Sequence, residues 1–206
     1  MRLLDSELNN KEQWKKAEIR LPQFDRQAMK EETKKNPQWV HFGAGNIFRA
    51  FPAALQQKLL NEGIEKTGII VAEGYDYEII KKAYRPQDDL SLLVTLKANG
   101  TIEKTVIGSL AESLTVDRHD AADWNRLKEI FASNTLQMVS FTITEKGYSI
   151  TSPDGAFRAD VKADFEAGPE NADSYIGKLA ALCYWRYTNG AAPLALVSMD
   201  NCSHNG

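Results

Sequence analysis

Short unbroken apolar runs alternate along the chain with stretches in which apolar residues recur every three or four positions. The runs are "WVHF" (39–42), "GIIVAE" (68–73), "LQMVSFTIT" (136–144) and "PLALVSMD" (193–200). Each is short, rich in β-formers and has no polar face, the pattern of strands buried on both sides of a parallel sheet. Between them, residues 46–61 carry Ile47, Ala50, Ala54, Leu55 and Leu59 at helical spacing and end at Gly63. Helices are also predicted over "YDYEIIKKAY", from about His119 to Ala132, and from about Ser174 to Thr188, and the polar stretch 152–173 is predicted to be a loop. The stretch from Leu90 to Leu114 differs, because β-formers alternate around Asn99-Gly100, a strong hairpin signal. The predicted fold class is therefore α/β: a Rossmann-type, doubly wound, mainly parallel sheet with an antiparallel hairpin insertion.

Ahead of the first run, residues 1–36 mix Lys and Glu with scattered Trp14, Ile19, Leu21 and Phe24, and a short helix is predicted between a capping Asp25 and Pro37. This segment is expected to be an N-terminal arm, with the Rossmann-like domain over residues 37–206.

Composition narrows the partners. The chain has 206 residues, 43% hydrophobic and 26% charged, enough for one good core. No apolar run approaches the roughly 20 residues of a membrane helix, and the first residues lack a signal-peptide core. A cytoplasmic location is expected. Cys183 and Cys202 fit a reducing compartment better than a disulfide framework, so the N-x-S/T matches at Asn99 and Asn201 carry little weight. A net charge of −3 argues against a broad nucleic-acid surface.

The chemistry begins at "HFGAGNIFRAF" (41–51), where Gly43 and Gly45 form a G-x-G on a strand-to-helix turn. In a dinucleotide-binding unit the first glycine permits the turn, and the second lets the backbone approach a pyrophosphate at the helix N-terminus. Phe48 stands where a third glycine would fall, and Ala50 is expected to supply the small helix-to-strand contact. The next apolar run ends in Glu73, 28 positions beyond Gly45. That exceeds the usual spacing of about 20, but it puts a carboxylate where a ribose 2′-hydroxyl binds and where a 2′-phosphate is repelled. NAD is expected over NADP. A glycine pair serving only as a turn is the competing reading.

Polar motifs close two further runs: T-x-T-E-K-G-Y at Thr142 to Tyr148, and S-x-D-N-x-x-H-N-G at Ser198 to Gly206. With G-x-G-x-x-x-R-A at Gly43 to Ala50, they resemble the mannitol dehydrogenase family of long-chain polyol dehydrogenases, most closely its mannonate-oxidising branch. The resemblance implies a cofactor site of Gly43, Ala44, Gly45, Asn46, Ile47, Phe48, Arg49, Glu73, Thr144 and Glu145. Many members carry Phe-His before the arginine; Ile47-Phe48 stand here, so that histidine has no counterpart. The resemblance also implies that Asn201 stabilises the developing alkoxide, with Asp200 and His204 shaping the site. The implied reaction is metal-free hydride transfer from a secondary alcohol of a polyol or sugar acid, such as D-mannonate to D-fructuronate. The family's general-base lysine belongs to a helical second domain with no match in this chain. This chain is thus expected to be the cofactor half, inactive alone, with that domain of the same polypeptide as its partner. A mannitol or other polyol 2-dehydrogenase and a non-catalytic nucleotide-binding module are the alternatives.

Other motifs have plainer explanations. Tyr77 and Lys81 reproduce a Tyr-x-x-x-Lys pair but lie too early in the fold to face a nicotinamide. Cys202 and His204 are too few for a zinc site, which takes about four ligands or three plus water. His41 and His119 show no partnering pattern. Lys146 is the best base inside the chain, though a loop role for Glu145 and Lys146 is preferred.

Overall fold

Asp25 accepts a hydrogen bond from the Ala28 N–H at 3.0 Å, Asp120 from Asp123 at 3.3 Å, and Ser174 from Gly177 at 3.1 Å, so three helices begin where a capping side chain stands. The computed structural model describes residues 1–200, apart from the side chains of Glu145 and Lys146. Its helices are α1 (Lys11–Lys16), α2 (Arg26–Lys35), α3 (Asn46–Ala50), α4 (Pro52–Asn61), α5 (Tyr77–Ile79, continued by a π-helical stretch Ile80–Tyr84), α6 (Ala121–Ala132), α7 (Glu145–Tyr148), α8 (Ala159–Ala167) and α9 (Tyr175–Thr188). Its strands are β1 (Ile19–Arg20), β2 (Trp39–Phe42), β3 (Ile69–Glu73), β4 (Ser91–Leu96), β5 (Ile102–Ile107), β6 (Leu110–Thr115), β7 (Met138–Phe141) and β8 (Ala195–Ser198).

Five strands form a parallel sheet in the order β6-β3-β2-β7-β8. All five residues of β3 are buried, as its uninterrupted apolar run requires. Val40, Phe42, Ile70 and Ala72 pack on α6 and α9 through Leu127, Phe131 and Leu182. Ile69 and Val71 pack on the other face with Phe48, Ala53, Ile80 and Tyr84. The sheet is doubly wound. The connections after β2 and β3 lie on one face and α6 and α9 on the other, so the winding reverses between β2 and β7, where such folds open a crevice at the carboxyl ends of the strands.

Several expectations are corrected. The predicted helix over 46–61 is two helices, because Pro52 cannot donate a backbone hydrogen bond and Phe51 leaves helical geometry (φ −122°, ψ −72°). Ala50 is exposed rather than wedged between helix and strand; Ala44 and Ala53 make the small contacts there. The hairpin forms around Asn99-Gly100, with Gly100 at φ +82°, but it stops at Ile107. Leu110–Thr115 then joins β3 as a third parallel strand, its alternation having looked like part of the insertion. The polar stretch 152–173 contains α8, whose inward anchor is Val161, too weak a stripe to read as a helix.

Residues 1–36 pack closely on the rest. β1 pairs in parallel with β5, completing a separate three-stranded sheet with the hairpin. The buried Arg26 guanidinium donates to the carbonyls of Gly108 (2.5 Å) and Asp88 (2.6 Å) and to Asp5 (2.6 Å). Asp5 and Arg26 thereby fasten this segment to the start of β6. Among the described residues, no helix is long and apolar enough to cross a membrane.

Candidate cofactor site

The carboxyl ends of β2, β3, β7 and β8 bring Gly43, Glu73, Thr142 and Ser198 to one edge of the sheet. Gly43 follows β2 at φ +113°, a conformation that side chains resist, and a Cβ on it would stand 2.5 Å from the Thr142 carbonyl oxygen. The turn therefore passes against the segment leaving β7, at the winding reversal. Gly45 is different. Its φ is −73° and a Cβ on it would meet nothing within 4 Å, so the space above it is open. Among the described residues, the N–H groups of Gly45, Asn46 and Ile47 make no hydrogen bond. The turn thus presents unpaired donors to open space, the property a phosphate cradle needs.

The turn is held from below. Gly43 N–H donates to the Ala72 carbonyl at 2.9 Å, Ala44 N–H to Glu73 Oε2 at 2.8 Å, and Tyr84 Oη to the Ala44 carbonyl at 2.7 Å. Glu73 Oε1 accepts from Tyr75 N–H at 2.8 Å and Asp76 N–H at 3.2 Å. Glu73 is 9% exposed and joins the end of β3 to the glycine turn. Arg49 donates to Asn46 Oδ1 at 2.5 Å and lies over the Tyr84 ring at 5.7 Å. Ile47 is exposed, whereas the Phe48 side chain is fully buried and stacks on His41 at 4.2 Å.

At β7 the chain passes through Thr142 and exposed Thr144 into α7, of which Glu145 is the first residue. Tyr148 from α7 hydrogen-bonds Ser198 Oγ at 3.0 Å and donates to Asp200 Oδ2, latching α7 to the end of β8. Asp200 is thereby tied to α7. Asn201, Cys202 and His204 lie outside the described residues.

Some functional-looking side chains escaped sequence reasoning. His41 has two partners after all: Nδ1 meets Ser140 Oγ at 2.7 Å and Nε2 meets Thr142 Oγ1 at 2.8 Å. Burial holds its pKa down to about 3, so the ring is neutral. The β2–β7 register puts Ser140 directly opposite His41, a neighbour that no local pattern reveals. His119 lies 3.7 Å from Asp173, at the surface. Tyr77 pairs with a lysine, but not Lys81: buried Lys178 of α9 donates to Tyr77 Oη at 2.8 Å, and Tyr77 donates to the Val116 carbonyl at 3.0 Å. Burial and nearby carboxylates push the phenol up to about 12, while burial lowers the lysine. Among the described residues, no group of His, Cys, Asp and Glu could hold a metal ion.

The family model for the mannitol dehydrogenase Rossmann domain matches residues 37–206, which contain the five-stranded parallel sheet and the glycine turn. The chain belongs to the mannitol dehydrogenase family. D-mannonate oxidoreductase of Thermotoga maritima is 47% identical over all 206 residues, which cover 38% of that relative. Polyol:NADP oxidoreductase of Gluconobacter oxydans is 30% identical over 195 residues, 92% of this chain and 38% of the relative. Among solved structures, Pseudomonas fluorescens mannitol 2-dehydrogenase in ternary complex with NAD and D-mannitol superposes with a TM-score of 0.78 at 27% identity, covering 99% of this chain and 39% of that one. This mannitol dehydrogenase family chain thus spans under two fifths of the length of these relatives.

Proposed function

We propose that this chain binds NAD for a dehydrogenase that interconverts D-mannonate and D-fructuronate. The observation that carries the reading is the pairing of Gly43, pressed on Thr142, with Gly45, open above and followed by unpaired amides. The first glycine is needed by the fold. The second leaves room for a group that approaches the backbone, as a pyrophosphate does.

In this reading Gly45, Ala44, Asn46, Ile47 and Phe48 hold the pyrophosphate through the backbone of the turn, because the Phe48 side chain is committed to the core. Arg49, tied to Asn46 and resting on Tyr84, borders the turn. Glu73 meets the adenosine ribose while bracing the turn, and its charge disfavours a 2′-phosphate. Thr144 and Glu145 border the nicotinamide side, and Asn201 steadies the reacting oxygen by hydrogen bonding. When bound, the cofactor supplies the hydride acceptor. The proton of the substrate hydroxyl is assigned to a lysine outside residues 1–206.

Identity to D-mannonate oxidoreductase, 47% against 30% for the polyol enzyme, supports the sugar-acid substrate over a polyol. The test is titration of the chain with NADH and NADPH, read by energy transfer from its four tryptophans to the nicotinamide. Saturable NADH binding with weaker NADPH binding is expected, and a parent enzyme turning over mannonate faster than mannitol. Absence of NADH binding at millimolar concentration would remove the assignment.

A further inference from the structure

Beneath the glycine turn, four polar side chains cross from β2 to β7 in one hydrogen-bonded row. Trp39 Nε1–H donates to Ser140 Oγ at 2.6 Å; Ser140 Oγ meets His41 Nδ1 at 2.7 Å; His41 Nε2 meets Thr142 Oγ1 at 2.8 Å. His41 and Ser140 are fully buried, and Phe48 stacks on the imidazole.

Proton counting fixes the direction of this row. Ser140 Oγ already accepts from Trp39, and the one acceptor offered to its hydroxyl hydrogen among the described residues is His41 Nδ1. If Nδ1 carried the proton, a fully buried hydroxyl hydrogen would have no acceptor, and a buried donor left unpaired is costly. Nδ1 is therefore the acceptor, and the proton of the neutral ring sits on Nε2. Nε2–H then donates to Thr142 Oγ1, which leaves the Thr142 hydroxyl hydrogen to be given elsewhere. Among the described residues it has no other partner. Thr142 is half-buried, and its oxygen would lie 3.2 Å from a Cβ on Gly43, so it stands at the crevice where the winding reverses.

We propose that Thr142 contacts the dinucleotide as a hydrogen-bond donor to one of its acceptor oxygens, and that Trp39, Ser140 and His41 are positioning residues that fix the donor's direction. This rests on the cofactor reading above and adds a binding residue to it. A glycine at position 43 leaves the threonine hydroxyl uncovered, and the relay stops that hydroxyl from turning inward to donate to histidine.

Two measurements on the 206-residue chain test it. Nitrogen-15 chemical shifts of labelled histidine, with His41→Phe for assignment, should show His41 as the neutral Nε2–H tautomer without cofactor. A protonated Nδ1 would overturn the relay. NADH titration should then give a dissociation constant about tenfold higher for Thr142→Val and near wild type for Thr142→Ser, with both variants retaining the wild-type amide spectrum. Ser140→Ala should weaken NADH binding and change the His41 nitrogen shifts together. Unchanged affinity in Thr142→Val, with wild-type binding intact, overturns the contact alone, whereas a wild-type chain that binds no NADH overturns the cofactor reading and the contact with it.

Discussion

The Glu73 carboxylate accepts the Ala44 N–H at 2.8 Å, joining the end of one strand to the turn that follows its neighbour. One acidic side chain thus shapes the loop through one oxygen and, through the other, the backbone of Tyr75 and Asp76. Glu73→Ala leaves three backbone donors without their acceptor. It should lower stability by about 2–3 kcal/mol as well as weaken NADH binding. Urea denaturation alongside NADH titration checks both; a binding loss with unchanged stability would mean that Glu73 does not brace the turn.

The two glycines should separate fold from function. Gly43→Ala forces a Cβ against the Thr142 carbonyl at positive φ and should cost about 2 kcal/mol or more. Gly45→Ala meets nothing and should leave the unfolding free energy within about 0.5 kcal/mol of wild type, yet weaken NADH binding at least tenfold. Equal effects of the two on stability would count against this division.

His41 gives the fold an acid limit. Its pKa is about 3 in the folded chain against 6.5 as the ordinary value, so between these values the unfolded chain binds the extra proton. Stability from this group is complete above pH 6.5 and falls as pH drops toward 3, by on the order of 5 kcal/mol in all. In His41→Phe this part of the pH dependence should vanish. Urea midpoints from pH 4 to 8 would show it, and parallel profiles for variant and wild type would refute it.

Arg186 should be a structural keystone. It is 4% exposed and donates to the carbonyls of Phe131, Ser133, Leu136 and Ala192, tying the end of α6 to the approaches of β7 and β8. Arg186→Met should cost about 3 kcal/mol or more, because those carbonyls lose their donors in a buried site. Arg186→Lys should recover less than half, since one ammonium cannot span the positions a planar guanidinium reaches. Thermal melts would decide.

The sequence by itself determined the alternation of buried strands and helices, the capped start at Asp25, the helix beginning near Ser174, the hairpin at Asn99-Gly100, and the strand-to-helix turn at Gly43 and Gly45. These are local: a missing polar face, a cap or a turn residue acts within a few positions of itself. Only the tertiary structure decided that Leu110–Thr115 leaves the hairpin for the main sheet, that residues 1–36 are clasped by Arg26, that Ala50 faces outward, and that His41 meets Ser140 and Thr142. Each depends on strand register or on packing between segments far apart in the chain. Strand pairing is set by which apolar surfaces cover one another across the whole domain, and that information is not held in any short stretch of residues.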